Sequence, residues 1–138
     1  MPLTLIVTEG VIPPEREPAT MARLSEAFLK VHGLAGNTFL TPNVIGFVQV
    51  VPRGSTYSGM KPVPVALVEW KLPAFAFTDR DAQTRYVEEA TAIIHEMSGG
   101  THPKEQTWVN VTHAVDGPWG IGGRAYTNAE LGAKASAG

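Results

Sequence analysis

The sequence has no cysteine, so no disulfide bond can hold the fold together. It also lacks a run of about eighteen apolar residues and a basic segment leading into an apolar one, which argues against a membrane span and a signal peptide. The absence of disulfides fits a reducing compartment. We therefore expect a soluble protein that works in the cytoplasm.

Charge is sparse and balanced: 11 Lys and Arg against 13 Asp and Glu give a net charge of -2, and the basic residues form no cluster. Neither a nucleic acid nor an anionic membrane is therefore an expected partner. The four histidines (His32, His95, His102 and His113) do not have the spacing of metal ligands, and the glycines of residues 120–123 lack the dinucleotide-binding spacing. We expect neither a metal nor another cofactor.

Hydrophobic periodicity divides the first half of the chain into a strand, a helix and a second strand. Residues 3–8 form a branched apolar run that predicts a buried strand. Apolar residues then recur at three- and four-residue steps along a predicted helix, with Pro18 in its first turn and Gly33 at its end. Residues 44–51 predict the second strand, so this half is a right-handed β-α-β crossover.

The same order recurs in the second half. Residues 65–71 predict a strand, Asp79 opens a predicted helix that ends at residues 99–100, and residues 107–115 predict the last strand. The repeat indicates that two similar units are fused in one chain.

We predict one α/β domain over residues 1–138, with β-α-β repeats at 2–61 and 62–131 and a small, polar C-terminal tail at 132–138. The tail is expected to be a frayed arm that adds nothing to the core. The four strands form a mixed sheet with two helices on one face. Its other face and edges need partners, so we expect an oligomer, and a threefold axis would satisfy them.

Pro2 stands immediately before the first strand, where loss of Met1 would leave a secondary amine at the edge of the sheet. An α-amino group ordinarily titrates near pH 8, and burial beside cations lowers that value, so such an amine can act as a base at neutral pH. Pro2 is therefore a candidate catalytic residue, on the condition that Met1 is removed.

Pro2 opening a strand, the helix and strand after it, and the turn of residues 117–123 (GPWGIGG) together resemble the tautomerase superfamily, whose short members include 4-oxalocrotonate tautomerase. The resemblance implies the fold described above and an N-terminal catalytic proline. It also implies that the aromatic residue of the turn, Trp119, lines the active site.

The doubled length resembles the fused branch of this superfamily, which includes cis-3-chloroacrylic acid dehalogenase. Residues 31–36 (VHGLAG) are similar to the end of the dehalogenase's first helix, where a histidine helps to bind the substrate carboxylate. The resemblance therefore implies that role for His32. Lys71 stands where the dehalogenase carries two arginines, so one cation is missing. His113 falls near the position of its water-activating glutamate and is a second candidate catalytic residue.

Residues 51–59 and 117–123 each form a predicted turn that contains glycines and one aromatic residue. Arg53 lies in the first turn and Arg124 beside the second, and both are candidates for holding a carboxylate. The predicted function is that of a cofactor-independent tautomerase acting on a small unsaturated or 2-oxo carboxylic acid. Two alternatives stay open: a hydratase or dehalogenase like the cis-3-chloroacrylic acid enzyme, and a non-catalytic trimer that binds a small molecule.

Overall fold

A computed structural model describes residues 1–138 and contains one four-stranded sheet. Its strands are β1 (Pro2–Thr8), β2 (Ile45–Val51), β5 (Ala66–Pro73) and β6 (Thr107–Ala114), in the spatial order β2-β1-β5-β6. Neighbouring strands run parallel within each half of the chain, and the central β1 and β5 run antiparallel to each other. The prediction of a mixed sheet built from two β-α-β units is thus confirmed.

Two helices cover one face of the sheet: α1 (Glu17–Val31) connects β1 to β2, and α2 (Arg80–Met97) connects β5 to β6. Pro18 sits in the first turn of α1, where its missing N–H costs no hydrogen bond. Asp79 caps α2, because its Oδ2 accepts a hydrogen bond of 2.7 Å from the backbone N–H of Ala82. Both helix starts agree with the sequence analysis.

The core lies between the two helices and the sheet. Alternate residues of β1 and β5 point toward the helices and are fully buried, as the period of two in a strand requires. Phe28 of α1 stacks on Trp70 of β5, with 4.0 Å between ring centroids, and meets Tyr86 of α2 edge-on at 5.3 Å. These aromatic rings join the two halves of the chain into one core.

Four short strands and a third helix extend beyond this sheet. They are β3 (Tyr57–Ser58), β4 (Lys61–Pro62), β7 (Trp119–Ile121), β8 (Arg124–Tyr126) and α3 (Asn128–Ala137); β3 pairs with β4 and β7 with β8 in two hairpins. Three single-turn 3₁₀ helices precede α1, β2 and β6, at Pro14–Arg16, Thr41–Asn43 and Lys104–Gln106.

Helix α3 corrects the expectation of a frayed C-terminal arm, since it includes most of residues 132–138. Thr127 and Glu130 form a reciprocal capping box at its start, and Leu131 is buried. The amide of Asn37 donates a 2.7 Å hydrogen bond to the carbonyl oxygen of Ala135 near its end. The helix is therefore attached to the rest of the chain at both ends, and the fold has three helices instead of two.

The face of the sheet opposite α1 and α2 is uncovered. Large apolar side chains are exposed there, with Phe47 at 54%, Ile45 at 49% and Trp108 at 41% of their full areas. Both edge strands, β2 and β6, carry part of this surface. No helix of the chain combines the length and apolar character needed to cross a lipid bilayer.

Candidate functional site

The start of the chain is partly buried at one end of β1. The α-amino group of Met1 donates a hydrogen bond to the carbonyl oxygen of Asn43, and the backbone N–H of Ile45 donates a 3.2 Å hydrogen bond to the carbonyl oxygen of Met1. Burial lowers the pKa of this amine from its usual value of 8.0 to about 6. The environment at this end of the sheet thus favours an uncharged amine at neutral pH.

An open groove of about 470 Å³ lies beside Pro2, and we call it the Pro2 groove. Lys71 lies near the C-terminal end of β5, which the antiparallel pairing brings beside the start of β1, and it lines this groove. Trp119 of β7 lines the groove as well. Three of the predicted site residues therefore come together, although they are separated by up to 117 positions in the sequence. Within the chain, Lys71 is the only lysine or arginine that lines the groove.

A second, more enclosed space of about 190 Å³ adjoins the Pro2 groove, and we call it the aromatic cavity. Both spaces are lined by Met1, Asn43, Trp119 and Ile121, so they are neighbours that share a wall. The Met1 side chain also packs against the hydrophobic core. Removal of Met1 would take away part of the shared wall. The cavity's aromatic lining residues are Phe28, Phe39, Phe75, Phe77 and Trp119.

His32 lines the aromatic cavity at the end of α1. Its Nδ1 lies 2.8 Å from the carbonyl oxygen of Phe28, and its ring centroid lies 4.5 Å from that of Phe28 and 5.6 Å from that of Phe77. A carbonyl oxygen can only accept, so Nδ1 carries a proton. The other ring nitrogen, Nε2, is buried and has no hydrogen-bond partner.

The other three predicted site residues lie outside both spaces. The Nε2 of the exposed His113 is 2.8 Å from the carbonyl oxygen of Ala76. Arg124 forms a 2.8 Å salt bridge with Glu130 and lies over the ring of Tyr126. These contacts hold the two side chains on the surface of the chain.

Arg53 is at the far end of the sheet from Pro2. It follows β2, whose last residue pairs with the last residue of β1, and its guanidinium lies against Gly10. Seven strand residues separate the two ends, which is a distance of about 20 Å. Arg53 therefore does not join the Pro2 groove within one chain.

Much of the wall of the aromatic cavity was not predicted from the sequence. Leu131 and Ala135 of α3 line it, together with Phe39 and Phe75 from two loops. The spacing of Thr127 and Glu130 is the signature of a capping box and could have revealed α3. The loop phenylalanines belong to no periodic segment, so nothing in the local pattern marks them as cavity residues.

The chemistry available at this end of the sheet is proton transfer and carboxylate binding. An amine of lowered pKa, a lysine ammonium and an indole ring surround the groove, and a histidine with a free nitrogen lines the adjoining cavity. No group of three or more metal-ligating side chains comes together anywhere in the chain.

No protein-family profile and no curated protein sequence matches this chain. Solved structures do match its fold. Pt0534, in a crystal structure after inactivation by 2-oxo-3-pentynoate, has a TM-score of 0.75 at 16% identity, and the match covers 96% of this chain and 99% of that one. For a member of the cis-3-chloroacrylic acid dehalogenase family, the TM-score is 0.74 at 15% identity, with coverages of 96% and 89%.

A fused 4-oxalocrotonate tautomerase (4-OT), described as a wild-type symmetric trimer, has a TM-score of 0.75 at 14% identity, and the match covers 96% of this chain and 99% of that one. The chain therefore has the fold of the fused tautomerase-superfamily proteins. This confirms the resemblance seen in the sequence at the level of the fold.

Proposed function

We propose that this protein is a cofactor-independent tautomerase that interconverts the enol and keto forms of a small unsaturated or 2-oxo carboxylic acid. Met1 is removed, and the secondary amine of Pro2 is the catalytic base. The observation that carries the proposal is that Pro2, Lys71 and Trp119 line one groove, at the end of the sheet where burial lowers the pKa of the Met1 amine from 8.0 to about 6. Removal of Met1 moves the amine by one residue, to a position that lines this same groove.

In the proposed reaction, the Pro2 nitrogen takes the proton of the enol hydroxyl. The O–H electron pair becomes the second bond of the carbonyl, the C=C electrons form a new C–H bond, and Pro2 returns the proton to that carbon. A neutral amine is required at the start of the cycle. Burial lowers the pKa of the Met1 amine at this end of the sheet, and we expect the same cause to favour the neutral form of the Pro2 amine. The base is thus regenerated in each turnover and no cofactor is consumed.

Lys71 is the proposed partner of the substrate carboxylate. It is the only lysine or arginine that lines the Pro2 groove, and an ammonium beside an acceptor-only carboxylate makes a charge-assisted hydrogen bond. Trp119 forms an apolar wall of the same groove and excludes water from one side of the reacting atoms. His113, Arg53 and Arg124 are left out of the proposal because none of them lines the Pro2 groove within one chain.

Hydration or dehalogenation of 3-chloroacrylate needs a general base to activate water beside Pro2. Two side chains at the end of β6 could serve as this base, His113 and Asp116, and neither lines the Pro2 groove. His113 faces the carbonyl oxygen of Ala76, and Asp116 Oδ1 accepts a 2.7 Å hydrogen bond from the backbone N–H of Asn128. We therefore favour the tautomerase over the dehalogenase.

We further propose that the protein assembles as a homotrimer through the uncovered face of the sheet. The exposed side chains of Ile45, Phe47 and Trp108 form an apolar surface that a second copy would cover, and a fused 4-OT of the same fold is a trimer. Light scattering after size exclusion is expected to give the mass of three chains, and Phe47→Glu is expected to give the mass of one. A wild-type monomer would contradict this.

The first test is the intact mass of the purified protein, which shows whether the chain begins at Met1 or Pro2. The second is the ketonisation of phenylenolpyruvate, followed by absorbance. A glycine inserted between Met1 and Pro2 turns the Pro2 nitrogen into an amide and is expected to lower the rate by about 10²- to 10⁴-fold, as loss of a general base does. Pro2→Ala replaces the rigid secondary amine with a primary amine, and its rate is expected to fall by a smaller factor than that of the insertion variant.

Pro64→Ala is the matched control, since Pro64 precedes β5 as Pro2 opens β1 but its nitrogen is already a tertiary amide. It is expected to keep the wild-type rate. Full activity of the glycine-insertion variant would refute catalysis by Pro2. Inactivity of every form, with carboxylate binding intact, would indicate the non-catalytic binder, and chloride release from 3-chloroacrylate would indicate the dehalogenase.

A further inference from the structure

The aromatic cavity has the size of a phenyl ring. Its volume is about 190 Å³ with Met1 still in place, and an engineered apolar cavity of about 150 Å³ in another protein binds benzene. Four phenylalanines and Trp119 line it, and Leu131 and Ala135 of α3 close one side. A flat, apolar group is the chemistry that such a wall accepts.

The cavity offers little to a second negative charge. No lysine or arginine lines it, and its one acidic side chain, Asp79, has an oxygen engaged with the backbone of α2. A carboxylate that enters loses its hydration and gains no cation in return. A substrate with a carboxylate at each end therefore places only one of them favourably, on Lys71 in the Pro2 groove.

His32 supplies the one buried side-chain nitrogen or oxygen atom in this wall that has no hydrogen-bond partner. Because Nδ1 carries a proton toward the carbonyl oxygen of Phe28, Nε2 of the neutral ring is a lone-pair acceptor. This atom is buried, lacks a partner and belongs to a residue that lines the cavity. A buried acceptor is stabilised by a ligand that brings an O–H or N–H donor.

We propose that the substrate is a monocarboxylic acid whose tail is an aromatic or similar apolar ring bearing a hydrogen-bond donor, with the ring in the aromatic cavity and the donor on Nε2 of His32. This inference rests on the proposed function, because it places the carboxylate on Lys71 and the reacting carbon beside Pro2. It gives His32 a role different from the carboxylate binding that the family resemblance implies.

The proposal is tested by binding to the Pro2→Ala protein, after its mass confirms that Met1 is absent, with isothermal titration calorimetry at pH 7.5. The probes are stable carboxylates: phenylacetate, 3- and 4-hydroxyphenylacetate, and the dicarboxylate adipate. Phenylacetate is expected to bind at least about tenfold more tightly than adipate. Its phenyl ring carries no charge, whereas the second carboxylate of adipate would lose its hydration on entering the cavity. Equal or tighter binding of adipate would overturn the proposal.

Helix α3 provides a matched pair of variants to locate the binding. Ala135 lines the cavity, whereas Ala133 is an exposed residue of the same helix. Ala135→Phe fills the cavity and is expected to weaken phenylacetate binding by about tenfold or more, and Ala133→Phe is expected to leave it unchanged. If both variants bind phenylacetate as the parent does, the ring lies elsewhere and the proposal fails.

The role of His32 is tested by His32→Phe, which keeps a ring but removes the acceptor. In the parent protein, one of the two hydroxyphenylacetates is expected to bind about three- to tenfold more tightly than phenylacetate, and the variant is expected to lose this advantage. No advantage in the parent, or an advantage that survives in His32→Phe, would refute the contact with Nε2.

These outcomes are separable from those of the proposed function. The binding experiments use a protein without Pro2 and need no turnover. Ring-selective binding without ketonisation by the wild-type protein would refute the tautomerase alone, whereas ketonisation together with preferred binding of adipate would refute the substrate class alone.

Discussion

The hydrogen bond between Trp70 and Tyr86 gives the sharpest test of how the core is held together. The indole N–H of Trp70 donates to the hydroxyl of Tyr86 at 2.7 Å, and both residues are fully buried. The hydroxyl in turn donates to the carbonyl oxygen of Leu24 at 3.3 Å. Tyr86→Phe removes one oxygen atom, keeps the ring, and leaves the indole N–H without a partner.

The expected cost follows from the buried donor that is left behind. A buried polar group that loses its partner destabilises a fold by about 1 to 3 kcal/mol, because it has lost its hydration as well. The empty space left by the hydroxyl destabilises the fold only slightly, since a single oxygen atom is removed. The Leu24 carbonyl belongs to α1 and keeps its place in the helical hydrogen-bond pattern. We therefore expect Tyr86→Phe to lower the free energy of unfolding by about 1 to 3 kcal/mol.

Urea unfolding followed by far-UV circular dichroism measures this change, with the wild type and the variant at one protein concentration because an oligomer's stability depends on it. Tyr57→Phe is the matched control: Tyr57 lies in the β3–β4 hairpin and is 62% exposed. Its effect is expected to stay within about 0.5 kcal/mol.

A double-mutant cycle decides whether the unpaired donor is the cause. In a Trp70→Phe background there is no indole N–H to leave unpaired, so Tyr86→Phe is expected to cost markedly less there than in the wild type. If Tyr86→Phe costs under about 0.5 kcal/mol in the wild type, or the same amount in both backgrounds, the reasoning from the buried donor is refuted.

Three further changes have defined outcomes. Thr8→Val is expected to lower the free energy of unfolding by about 1 to 3 kcal/mol. The buried hydroxyl of Thr8 contacts Thr56 Oγ1 at 2.7 Å and accepts a 2.8 Å hydrogen bond from the backbone N–H of Val65, and valine makes neither contact. An unchanged midpoint of urea unfolding would contradict this. Burial lowers the pKa of His102 below its usual 6.5, so the unfolded chain takes up a proton there before the folded one does. The free energy of unfolding is therefore expected to fall as the pH drops below about 6.5, and His102→Gln should flatten that slope. Thr127→Ala removes the cap of α3 and is expected to speed amide exchange within α3 by about 2- to 30-fold, matching about 0.5 to 2 kcal/mol, with unchanged exchange in β1 as the internal control.

The rate of the proposed tautomerase should follow the protonation of the chain-start amine. Burial lowers the pKa of the Met1 amine from 8.0 to about 6, and we expect the same cause to lower the pKa of the Pro2 amine, one residue further along the chain. The neutral base is depleted at pH values below its pKa and predominates above it. We expect kcat/KM for ketonisation to rise with pH through about 6 and to level off by pH 7. A rate that keeps rising to pH 8 would show that the amine of Pro2 is not shifted in this way.

The repeated β-α-β pattern could be predicted from the sequence because each element carries its own signal. Alternating apolar residues specify β1, three- and four-residue steps specify α1, and Pro18 and Asp79 mark helix starts within one turn of where the structure has them. The uncovered face of the sheet could also be predicted, because the two helices predicted to pack on the sheet cover only one of its faces. These are local relations, which neighbouring residues impose whatever the rest of the chain does.

The composition of the site was decided only by the tertiary structure. Pro2, Lys71 and Trp119 meet because β1 and β5 run antiparallel and a hairpin returns to their shared end, whereas Arg53 is carried to the opposite end of the sheet. The aromatic cavity likewise arises where α1, two loops and α3 pack together, and no single segment contains its pattern. Local periodicity determines which elements form, but the strand order and helix docking determine which of their ends meet, since those depend on contacts between residues far apart in the chain.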